Sequence, residues 1–481
     1  MASMFKWEVV DPAPGEPVAP HQRVAWGKTV GLGAQHVIAM FGATFVFPLI
    51  MGLDPNLAIM MSGVATICFL LIVQGKVPSY LGTSASFVGG AAAIYAQEGG
   101  PEDVTGAILV SGVVLALVGL VIHFLGAEAV NRVLPPVVTG GVVMVIGFNL
   151  AGVATDIYLP GDRWVGLITM AAVILMAVGL RGFLGRIAIF LGLVFGFVLS
   201  WIFDALGVGG VEGDRINWDN VEAADWFGLP RHTAEGLVGN QNELGNMAEV
   251  GWHLPSFSIT FALLAMPAVI ALVAENIGHV KAVAGMTGVD LDPVVGRAVA
   301  ADGVGTVLTS AVGGSPTTTY AENIGVMAAT RVYSTAAYFV AAIVAILLGL
   351  IPKFGAIIAA TPPGVLAGIT LVLYGMIGLL GAKIWIENRV NFADPVNLVP
   401  IAAGLILAIG YDHTGFFQVT DDFSLGGIAL GTIVIIAGYH IGRAIEPAEL
   451  ARARMEVAHT ADEVGPSERD RRVDPPDTTG S

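Results

Sequence analysis

Long apolar runs separated by short polar stretches occupy the sequence from residue 29 to residue 443. The runs are about twenty residues long, the length that a helix needs to cross the hydrocarbon core of a bilayer. Membrane β-strands are about ten residues long and alternate apolar with polar positions, which these runs do not. The pattern therefore predicts an all-α polytopic membrane protein with fourteen spans. The predicted spans are 29–51, 56–74, 79–97, 104–126, 135–153, 164–181, 186–207, 258–285, 293–313, 316–331, 334–352, 362–381, 396–411 and 424–443.

Two of these spans, the third and the tenth, are short and interrupted. In each, hydroxyl and β-branched residues that favour a strand precede a glycine- or alanine-rich helix, as in "SYLGTSASFVGGAAA" and "GGSPTTTYAENIGVM". The fifth and twelfth spans also correspond, because "LPPVVTGGVV" and "TPPGVLAGIT" both contain a proline pair. Each pair is seven spans apart, and an odd number inverts the second half in the membrane. Interrupted segments at matching positions of inverted halves indicate the binding site of a transporter.

The composition agrees with a membrane protein and excludes several kinds of chemistry. Hydrophobic residues make up 55% of the 481 residues and charged residues only 12%. The net charge of −16 arises largely near the N-terminus, in 208–257 and in the tail, so it does not predict a cationic partner. Cys68 is the only cysteine, which excludes an intramolecular disulfide and a thiolate metal cluster. The sequence lacks a P-loop, a nucleophile elbow and a dinucleotide fingerprint, so we expect no enzyme activity, metal, cofactor or nucleic-acid partner.

The basic residues predict the orientation of the chain in the membrane. With the N-terminus inside, 18 of the 22 lysines and arginines fall in inner segments and 4 in outer ones. This asymmetry supports an even number of spans and two cytoplasmic termini in the inner (plasma) membrane. We therefore expect a cytoplasmic N-terminal segment at 1–28, an extracellular loop at 208–257 and a disordered cytoplasmic tail at 444–481.

The tenth span carries an acidic residue where a helix is predicted to begin in mid-membrane. If 317–320 and 83–87 are extended, the two breaks can pair with each other, and a half-helix then starts at Ala321. Its free N–H groups and positive dipole end suit an acceptor oxygen such as a carbonyl. Glu322 lies in its first turn, either to satisfy the dipole or to bind a ligand. An ionisable group at this depth costs several kcal/mol, which favours a functional role.

A second polar constellation lies in the eighth span, in "PAVIALVAENIGHVKAV". Glu275 and His279 are four residues apart and share one face of the helix. They form either a buried pair that only fixes helix packing or a site for proton chemistry near neutral pH. We favour proton chemistry. Two carboxylates that face one pocket, Glu275 and Glu322, suit a ligand with N–H donors.

Three further polar residues in apolar spans are assigned supporting roles. Gln35 and His36 are adjacent in the first span, and adjacent residues on a helix point about 100° apart, so at most one faces a site directly. We favour a structural role for this pair. Asp302 is a lone acid in the ninth span, and we expect a hydrogen-bonded core residue, with hydroxyl groups of the tenth span as candidate donors.

Several motifs together resemble one known family of membrane transporters. "ENIGVMAATR" fits the signature of nucleobase–ascorbate transporters, and with "GAQHVIAMFGAT", "VPSYLGTSASF" and "VAENIGHVKAV" it resembles bacterial uracil and pyrimidine permeases of the nucleobase:cation symporter-2 family. The resemblance runs from about residue 22 to 443. It implies two inverted seven-span repeats, a core domain at 29–126 and 258–353, and a gate domain at 135–207 and 362–443 that also mediates homodimerisation. It further implies a nucleobase substrate and surrounding membrane lipid.

The resemblance also implies roles for individual residues. Glu275 and Glu322 resemble the carboxylates that bind the uracil ring, and His279 resembles the residue implicated in proton coupling. Ala321 matches a position whose backbone N–H meets a substrate carbonyl. The residues that match pocket walls are Ala43, Tyr320 and Tyr374. The signature positions to which we give supporting roles are Asn323, Thr330 and Arg331.

One position departs from the uracil permease pattern. Ala85 stands where the motif has a phenylalanine that contacts substrate, so the pocket is either larger or partly refilled by Phe87. The change weakens the case for strict uracil selectivity, and a purine permease for xanthine or uric acid is the alternative. Glu322 favours a pyrimidine, because xanthine and urate carriers typically have glutamine at this position.

These observations predict a secondary active transporter that imports uracil or a related pyrimidine together with protons, by alternating access between core and gate. Sodium is the alternative coupling ion, and His279 favours protons. An anion exchanger of similar fold is disfavoured, because two carboxylates would repel its substrate. A channel or a membrane enzyme is a further rival that uptake measurements distinguish.

Overall fold

Helices form most of the chain in the computed structural model, which describes residues 6–13, 16–126, 128, 132–209, 211, 213–230, 251–411, 416–420 and 423–446. A helix satisfies its backbone hydrogen bonds internally, as a chain in lipid must. The predicted tail from residue 447 onwards and the middle of the predicted loop, 231–250, lie outside the described residues. The helices are α1 (Trp26–Ile50), α2 (Pro55–Ile72), α3 (Val88–Tyr95), α4 (Pro101–Leu125), α5 (Pro136–Asn149), α6 (Arg163–Gly179), α7 (Phe183–Arg186), α8 (Ala188–Ala205), α9 (Asp219–Ala223), α10 (Ile259–Ala265), α11 (Pro267–Thr287), α12 (Asp292–Ser310), α13 (Ala321–Thr330), α14 (Thr335–Gly349), α15 (Pro352–Ala359), α16 (Pro363–Glu387), α17 (Pro395–Gly410) and α18 (Gly427–Ile445). The strands are β1 (Glu8–Val9), β2 (Gln22–Arg23), β3 (Leu81–Thr83), β4 (Thr317–Thr319), β5 (Phe416–Thr420) and β6 (Phe423–Gly426).

Eight helical segments in the described part of the chain are long and apolar enough to cross a membrane. They are α1, α2, α4, the segment Pro136–Tyr158 that begins with α5, α8, the segment Ile259–Thr287 formed by α10 and α11, α16 and α18. A ninth candidate is the pair α14 and α15, which bends by 81° at the break between them. The predicted polytopic helical protein is therefore confirmed, whereas the number of fourteen spans stays a prediction.

Three predicted spans differ in detail from the observed helices. The eighth, 258–285, is broken between α10 and α11 at Pro267, because proline lacks the N–H that would continue the helix. The twelfth, 362–381, is too short, since α16 continues to Glu387. The fifth, 135–153, is followed by a wider π-helical turn at Val153–Tyr158.

The helices pack in two groups, within which glycines allow close approach. In the first group, α1–α4 with α10–α14, α4 lies against α12, and a Cβ atom at Gly119 of α4 would clash with the backbone nitrogen of Ala300. In the second group, α5–α8 with α16–α18, a Cβ atom at Gly147 of α5 would clash with the backbone nitrogen of Gly378 of α16. Small residues thus let helix backbones touch, which is a common basis of helix association in lipid. Helix α11 contacts both groups, through α12 and α5.

Two short buried strands interrupt the helical structure. β3 and β4 pair antiparallel, with Gly82 opposite Thr318. All six residues are buried, and the pairing satisfies backbone groups that lipid would leave without partners. The predicted pairing of the two breaks is confirmed. The strand of the third span is 81–83 rather than 83–87, because Ala85–Phe87 form a 3-10 turn.

The N-terminal segment is docked on the junction of α13 and α14. Val18 is 0% exposed; its N–H donates to the carbonyl of Arg331 (2.9 Å), and its carbonyl accepts from the N–H of Tyr333 (2.8 Å). The indole N–H of Trp7 donates to Thr335 Oγ1 at 2.8 Å. Part of the segment predicted at 1–28 is therefore a packed element, and α1 begins within it.

A buried arginine fastens the long loop to the ends of two helices. The Arg215 guanidinium lies 2.7 Å from Asp162, which caps α6, and 3.1 Å from Asp204 of α8, and its side chain is only 4% exposed. Removing one partner of a buried ion pair leaves the other charges uncompensated, so we expect Arg215→Met to lower the free energy of unfolding by about 3 kcal/mol. Thermal unfolding of the purified protein measures this effect. Arg163→Met, at an exposed position at the same end of α6, is the control, and equal melting temperatures of the two variants would contradict the prediction.

Candidate functional site

The residues predicted to act in the tenth span lie where α13 begins. β4 leads directly towards this helix, and Tyr320, the residue before it, is extended and provides no side-chain cap. The backbone N–H of Ala321, an exposed residue at the first position of the helix, therefore has no acceptor within the helix. Glu322 is half-buried in the same turn, beside the positive end of the helix dipole.

Two carboxylates approach this helix start. Glu275 of α11 is half-buried, and its Oε2 accepts a hydrogen bond from Thr318 Oγ1 of β4 at 3.3 Å. It lies close enough to Glu322 for the two charges to interact. The pair can accept hydrogen bonds from two N–H donors, while the N–H of Ala321 can donate to a carbonyl. The arrangement suits a planar ring that presents both N–H and C=O groups.

His279 is held by the strand rather than by Glu275. Its Nδ1 lies 2.7 Å from Thr319 Oγ1, whereas Glu275 is bonded to the preceding threonine. Across the described residues, no hydrogen bond or ion pair joins Glu275 to His279. Glu275 and His279 therefore do not form a hydrogen-bonded pair with each other, because successive hydroxyl groups of one strand take up the two side chains.

A buried amide and a buried acid extend this network. Asn276 donates from Nδ2 to Asp302 Oδ2 (2.6 Å) and accepts at Oδ1 from Thr319 Oγ1 (3.2 Å). Asn276 and Asp302 are both 0% exposed, which confirms Asp302 as a hydrogen-bonded core acid. The sequence interpretation missed Asn276, Thr318 and Thr319. The tripeptide "AEN" occurs twice, ending at Asn276 and at Asn323. This repeat was a signal for Asn276, but only Asn323 was singled out.

Tyr320 stabilises the antiparallel pair of strands β3 and β4, which we call the strand crossing. Its hydroxyl donates to the carbonyl of Thr83 (2.7 Å) and accepts from Thr44 Oγ1 (3.1 Å), which ties β4 to β3 and to α1. Its ring covers Gly82, where a Cβ atom would lie 2.5 Å from the ring Cζ. The hydroxyl of this predicted wall residue is therefore committed to the protein. Thr44 and Gly82 were missed, since a single hydroxyl or glycine in an apolar span forms no pattern.

The other predicted wall residues are distributed over three elements. Ala43 of α1 and Ala85 of the 3-10 turn are half-buried and pack against the core. Tyr374 of α16 is buried, and its hydroxyl has no hydrogen-bond partner in the described structure. Phe87 is 1% exposed and lies within the core.

Of the adjacent polar pair in α1, His36 is the buried residue. Its ring centroid lies 4.3 Å from that of Tyr338, and Asn323 Nδ2 donates to its backbone carbonyl at 2.9 Å. Gln35 is half-buried at the neighbouring position. Asn323 thereby connects the first turn of α13 to α1. Supporting roles of this type were predicted for His36 and Asn323.

The last two residues of the signature end α13. Thr330 Oγ1 donates to the carbonyl of Val326 at 3.0 Å. Arg331 has a φ of 54°, the left-handed conformation with which many helices end. The carbonyl of Arg331 receives the N–H of Val18, so this helix end connects the candidate site to the docked N-terminal segment.

The sequence is similar to permeases along most of its length. A family model described as "Permease family" (Xan_ur_permease) matches residues 27–414. The RutG protein of Escherichia coli (strain K12), provisionally named a pyrimidine permease, is 42% identical over 423 residues, which cover 86% of this chain and 89% of RutG. The uracil permeases of Bacillus caldolyticus and Escherichia coli (strain K12) are 35% and 34% identical, over 85% of this chain and 90% and 89% of theirs.

Solved membrane transporters share the fold at low sequence identity. The transmembrane domain of a cyanobacterial bicarbonate transporter, BicA, matches 80% of this chain and 95% of its own, with a TM-score of 0.54 and 15% identity. The murine anion transporter Slc26a9 in the inward-facing state matches 88% of this chain and 69% of its own, with a TM-score of 0.59 and 11% identity. These structures show the fold alone, and the sequence matches show the family. The chain belongs to the nucleobase:cation symporter-2 family, whose members are multi-pass membrane permeases and not enzymes.

Proposed function

We propose that this protein imports uracil or a related pyrimidine nucleobase across the cell membrane by proton symport. The observation that carries the proposal is the packing of α11 against β4 and α13, which places Glu275 near Glu322 at a helix start that has no side-chain cap. The two carboxylates accept hydrogen bonds from the ring N–H groups of uracil, and the N–H of Ala321 donates to a ring carbonyl. The relatives named uracil permease support this choice of substrate.

The transporters that share the fold are named for anions, a different class of substrate from a neutral nucleobase. Glu275 and Glu322 both carry carboxylates towards one place, and a negative ligand there would be repelled by two like charges. A neutral base with N–H donors meets no such repulsion. The local chemistry therefore favours a nucleobase over bicarbonate or sulfate.

A proton carried by Glu275 and His279 is the proposed coupling ion. Both side chains are titratable and half-buried, and each is bonded to a threonine of β4, so a change of charge on either acts on the strand that leads to Glu322. The proposed mechanism involves no cofactor. In the ranges that the structure describes, no group of three or more His, Cys, Asp or Glu side chains is arranged to hold a metal ion. Sodium is the alternative coupling ion, and transport in sodium-free buffer tests it.

For the architecture we propose fourteen spans in two inverted halves, with the core domain at 29–126 and 258–353 and the gate domain at 135–207 and 362–443. The antiparallel pairing of β3 with β4 supports this symmetry, as does the packing of α5 on α16, each of which begins at the second residue of a proline pair. The two packing groups of helices support the division into core and gate. Movement of one group against the other provides alternating access. Cytoplasmic termini and a homodimer formed through the gate domain complete the proposal.

A purine permease is the second candidate, because Ala85 leaves a smaller side chain beside the strand crossing than the uracil permease pattern has. Its methyl group is half-buried. Competition of radiolabelled uracil uptake by thymine, cytosine, xanthine and uric acid distinguishes the two. Inhibition by xanthine but not by thymine would favour the purine permease.

Uptake of radiolabelled uracil into cells that lack their own nucleobase permeases tests the proposed function. We expect saturable uptake that persists in sodium-free buffer and collapses when an uncoupler dissipates the proton gradient. Uptake that requires Na⁺ would indicate sodium symport. Uptake that neither saturates nor responds to the uncoupler would indicate a channel.

Replacing His279 by glutamine is expected to separate coupling from binding. Glutamine keeps a polar group beside Thr319 but cannot carry the proton, so gradient-driven accumulation of uracil should fall roughly tenfold or more. Exchange of labelled for unlabelled uracil across the membrane should continue, because it needs no net proton movement. His123→Gln, at an exposed position of α4, is the matched control. Loss of exchange together with accumulation would assign His279 to binding or folding instead.

A further inference from the structure

The orientation of the Asn276 amide is fixed by two acceptors on the same atom. Asn276 Nδ2 lies 2.9 Å from the carbonyl of Leu272 and 2.6 Å from Asp302 Oδ2. A backbone carbonyl accepts only, so a reversed amide would place its oxygen against an oxygen. The amide therefore presents Nδ2 to the core and Oδ1 to β4. Since the residue is 0% exposed, water does not compete for either atom.

This orientation determines which nitrogen of His279 carries the proton. Asn276 Oδ1 accepts from Thr319 Oγ1 at 3.2 Å, and the threonine hydroxyl has a single proton to give. Towards His279 Nδ1, at 2.7 Å, the same oxygen atom must then accept. Neutral imidazole has one N–H group, so His279 carries its proton on Nδ1 and has a lone pair on Nε2.

We propose that Asn276 is a positioning residue that, acting through Thr319, holds neutral His279 in the Nδ1–H tautomer and makes Nε2 the atom that takes up the coupling proton. The proposal rests on the proposed role of His279 in proton coupling. The proton binds to the lone pair of Nε2 to give an imidazolium, and it leaves from the same atom. An amide group is too weakly basic to pass a proton on, so this series of hydrogen bonds anchors the ring without draining the proton towards Asp302.

The anchoring chain also links the proton site to the predicted substrate site. Asn276 and His279 lie three residues apart on one face of α11, Thr319 belongs to β4, and Asp302 belongs to α12. β4 ends two residues before Ala321, where α13 begins. A charge gained at Nε2 strengthens the bond from Nδ1–H to Thr319, because hydrogen bonds from a charged donor are stronger. Protonation thus strengthens the hydrogen bond from His279 to β4, the strand that positions the start of α13.

Nitrogen NMR of the full-length protein in lipid nanodiscs tests the tautomer directly. The protein is labelled with ¹⁵N-histidine, and the signals of His279 are identified among the 9 histidines by their loss in His279→Gln. At alkaline pH we expect Nδ1 to show the shift of a protonated nitrogen and Nε2 that of an unprotonated one. Thr319→Val, which removes the hydroxyl, should yield a mixture of tautomers, whereas Thr319→Ser should keep the wild-type spectrum. A wild-type ring protonated at Nε2 would overturn the proposal, as would an unchanged spectrum in Thr319→Val.

Transport measurements with the same variants supply a second readout. Thr319→Val should lower gradient-driven uracil accumulation about five- to tenfold, the effect of one lost hydrogen bond, while uracil exchange continues. Thr287→Val, which removes a hydroxyl that donates to the carbonyl of Val283 in the same helix, α11, is the matched control. Where Thr319→Val does not fold, the spectra of wild type and Thr319→Ser still decide the tautomer. The tautomer is observed without substrate, so a failure of uracil transport and a failure of the positioning role are distinguishable.

Discussion

Glu322→Gln is expected to lower uracil uptake roughly 100-fold while the protein stays folded. Glutamine has the shape of glutamate, but it replaces an acceptor-only carboxylate by an amide whose NH₂ group can face the ring N–H of the substrate. A hydrogen bond to a charged group contributes about 1.5–3 kcal/mol, and a buried donor without a partner costs about as much. Because about 1.4 kcal/mol corresponds to a factor of ten in affinity, the loss should be plain in the concentration dependence of uptake.

The matched control for this variant is Glu387→Gln, which alters an exposed carboxylate of α16. Thermal unfolding of both purified variants checks that the protein stays folded. The Glu322→Gln protein should in turn accept bases that present a ring-nitrogen lone pair where uracil presents an N–H, since an amide can donate. Uracil uptake at the wild-type level would remove Glu322 from the site.

The strand crossing and the start of α13 were predictable because their signals are local. "TTT" after a proline and before an acid, within an apolar chain, is enough to predict a strand followed by a half-helix. Glu275 and Glu322 were conspicuous for a similar reason, since ionisable residues in apolar spans are rare and costly. Their approach to each other needed only the pairing of the two breaks and the start of α13 beside α11.

Most of the hydrogen-bond network around these residues was not predictable, because it is made by hydroxyl, amide and backbone groups that are distant in sequence. The Tyr320 hydroxyl reaches a carbonyl 237 residues away, and Asn276 reaches Asp302 across 26 residues. The spacing of Glu275 and His279 places both on one helix face, but it does not reveal that strand hydroxyls take up each of them. That outcome depends on how closely β4 packs against α11.

The docked N-terminal segment was hidden for a different reason. A short, polar, proline-rich stretch has the composition of a tail, and nothing in its pattern marks Val18 as a core residue. Its burial arises from backbone groups left free where α13 ends and α14 begins. The carbonyl of Arg331 accepts from the N–H of Val18 at 2.9 Å, and the N–H of Tyr333 donates to its carbonyl at 2.8 Å. Backbone pairing of this kind is independent of side-chain type, so composition does not report it.

A single methyl group at Gly82 is expected to remove most of the uracil transport. The added Cβ of Gly82→Ala would lie 2.5 Å from Thr44 Oγ1 and 2.5 Å from the ring Cζ of Tyr320. Tyr320 cannot turn away without losing its bonds to Thr83 and Thr44, so the strands must separate instead. Overpacking of this kind costs about 1–3 kcal/mol, and here it displaces β4 and with it the start of α13. We expect uracil uptake to fall to a few per cent of wild type, or about 30-fold, with a lower melting temperature.

Gly285→Ala is the matched control, because a Cβ atom at Gly285 of α11 meets nothing within 4 Å and adds the same methyl group. It should transport uracil as the wild type does. Uptake per folded molecule separates the two consequences of Gly82→Ala, since the strand crossing either supports the fold alone or also places the substrate site. A variant that is less stable but transports normally when folded would limit the crossing to the fold. If uptake and melting temperature were both equal to those of the wild type, β3 and Tyr320 would be free to move apart. The strand crossing would then not determine the position of Ala321 or Glu322.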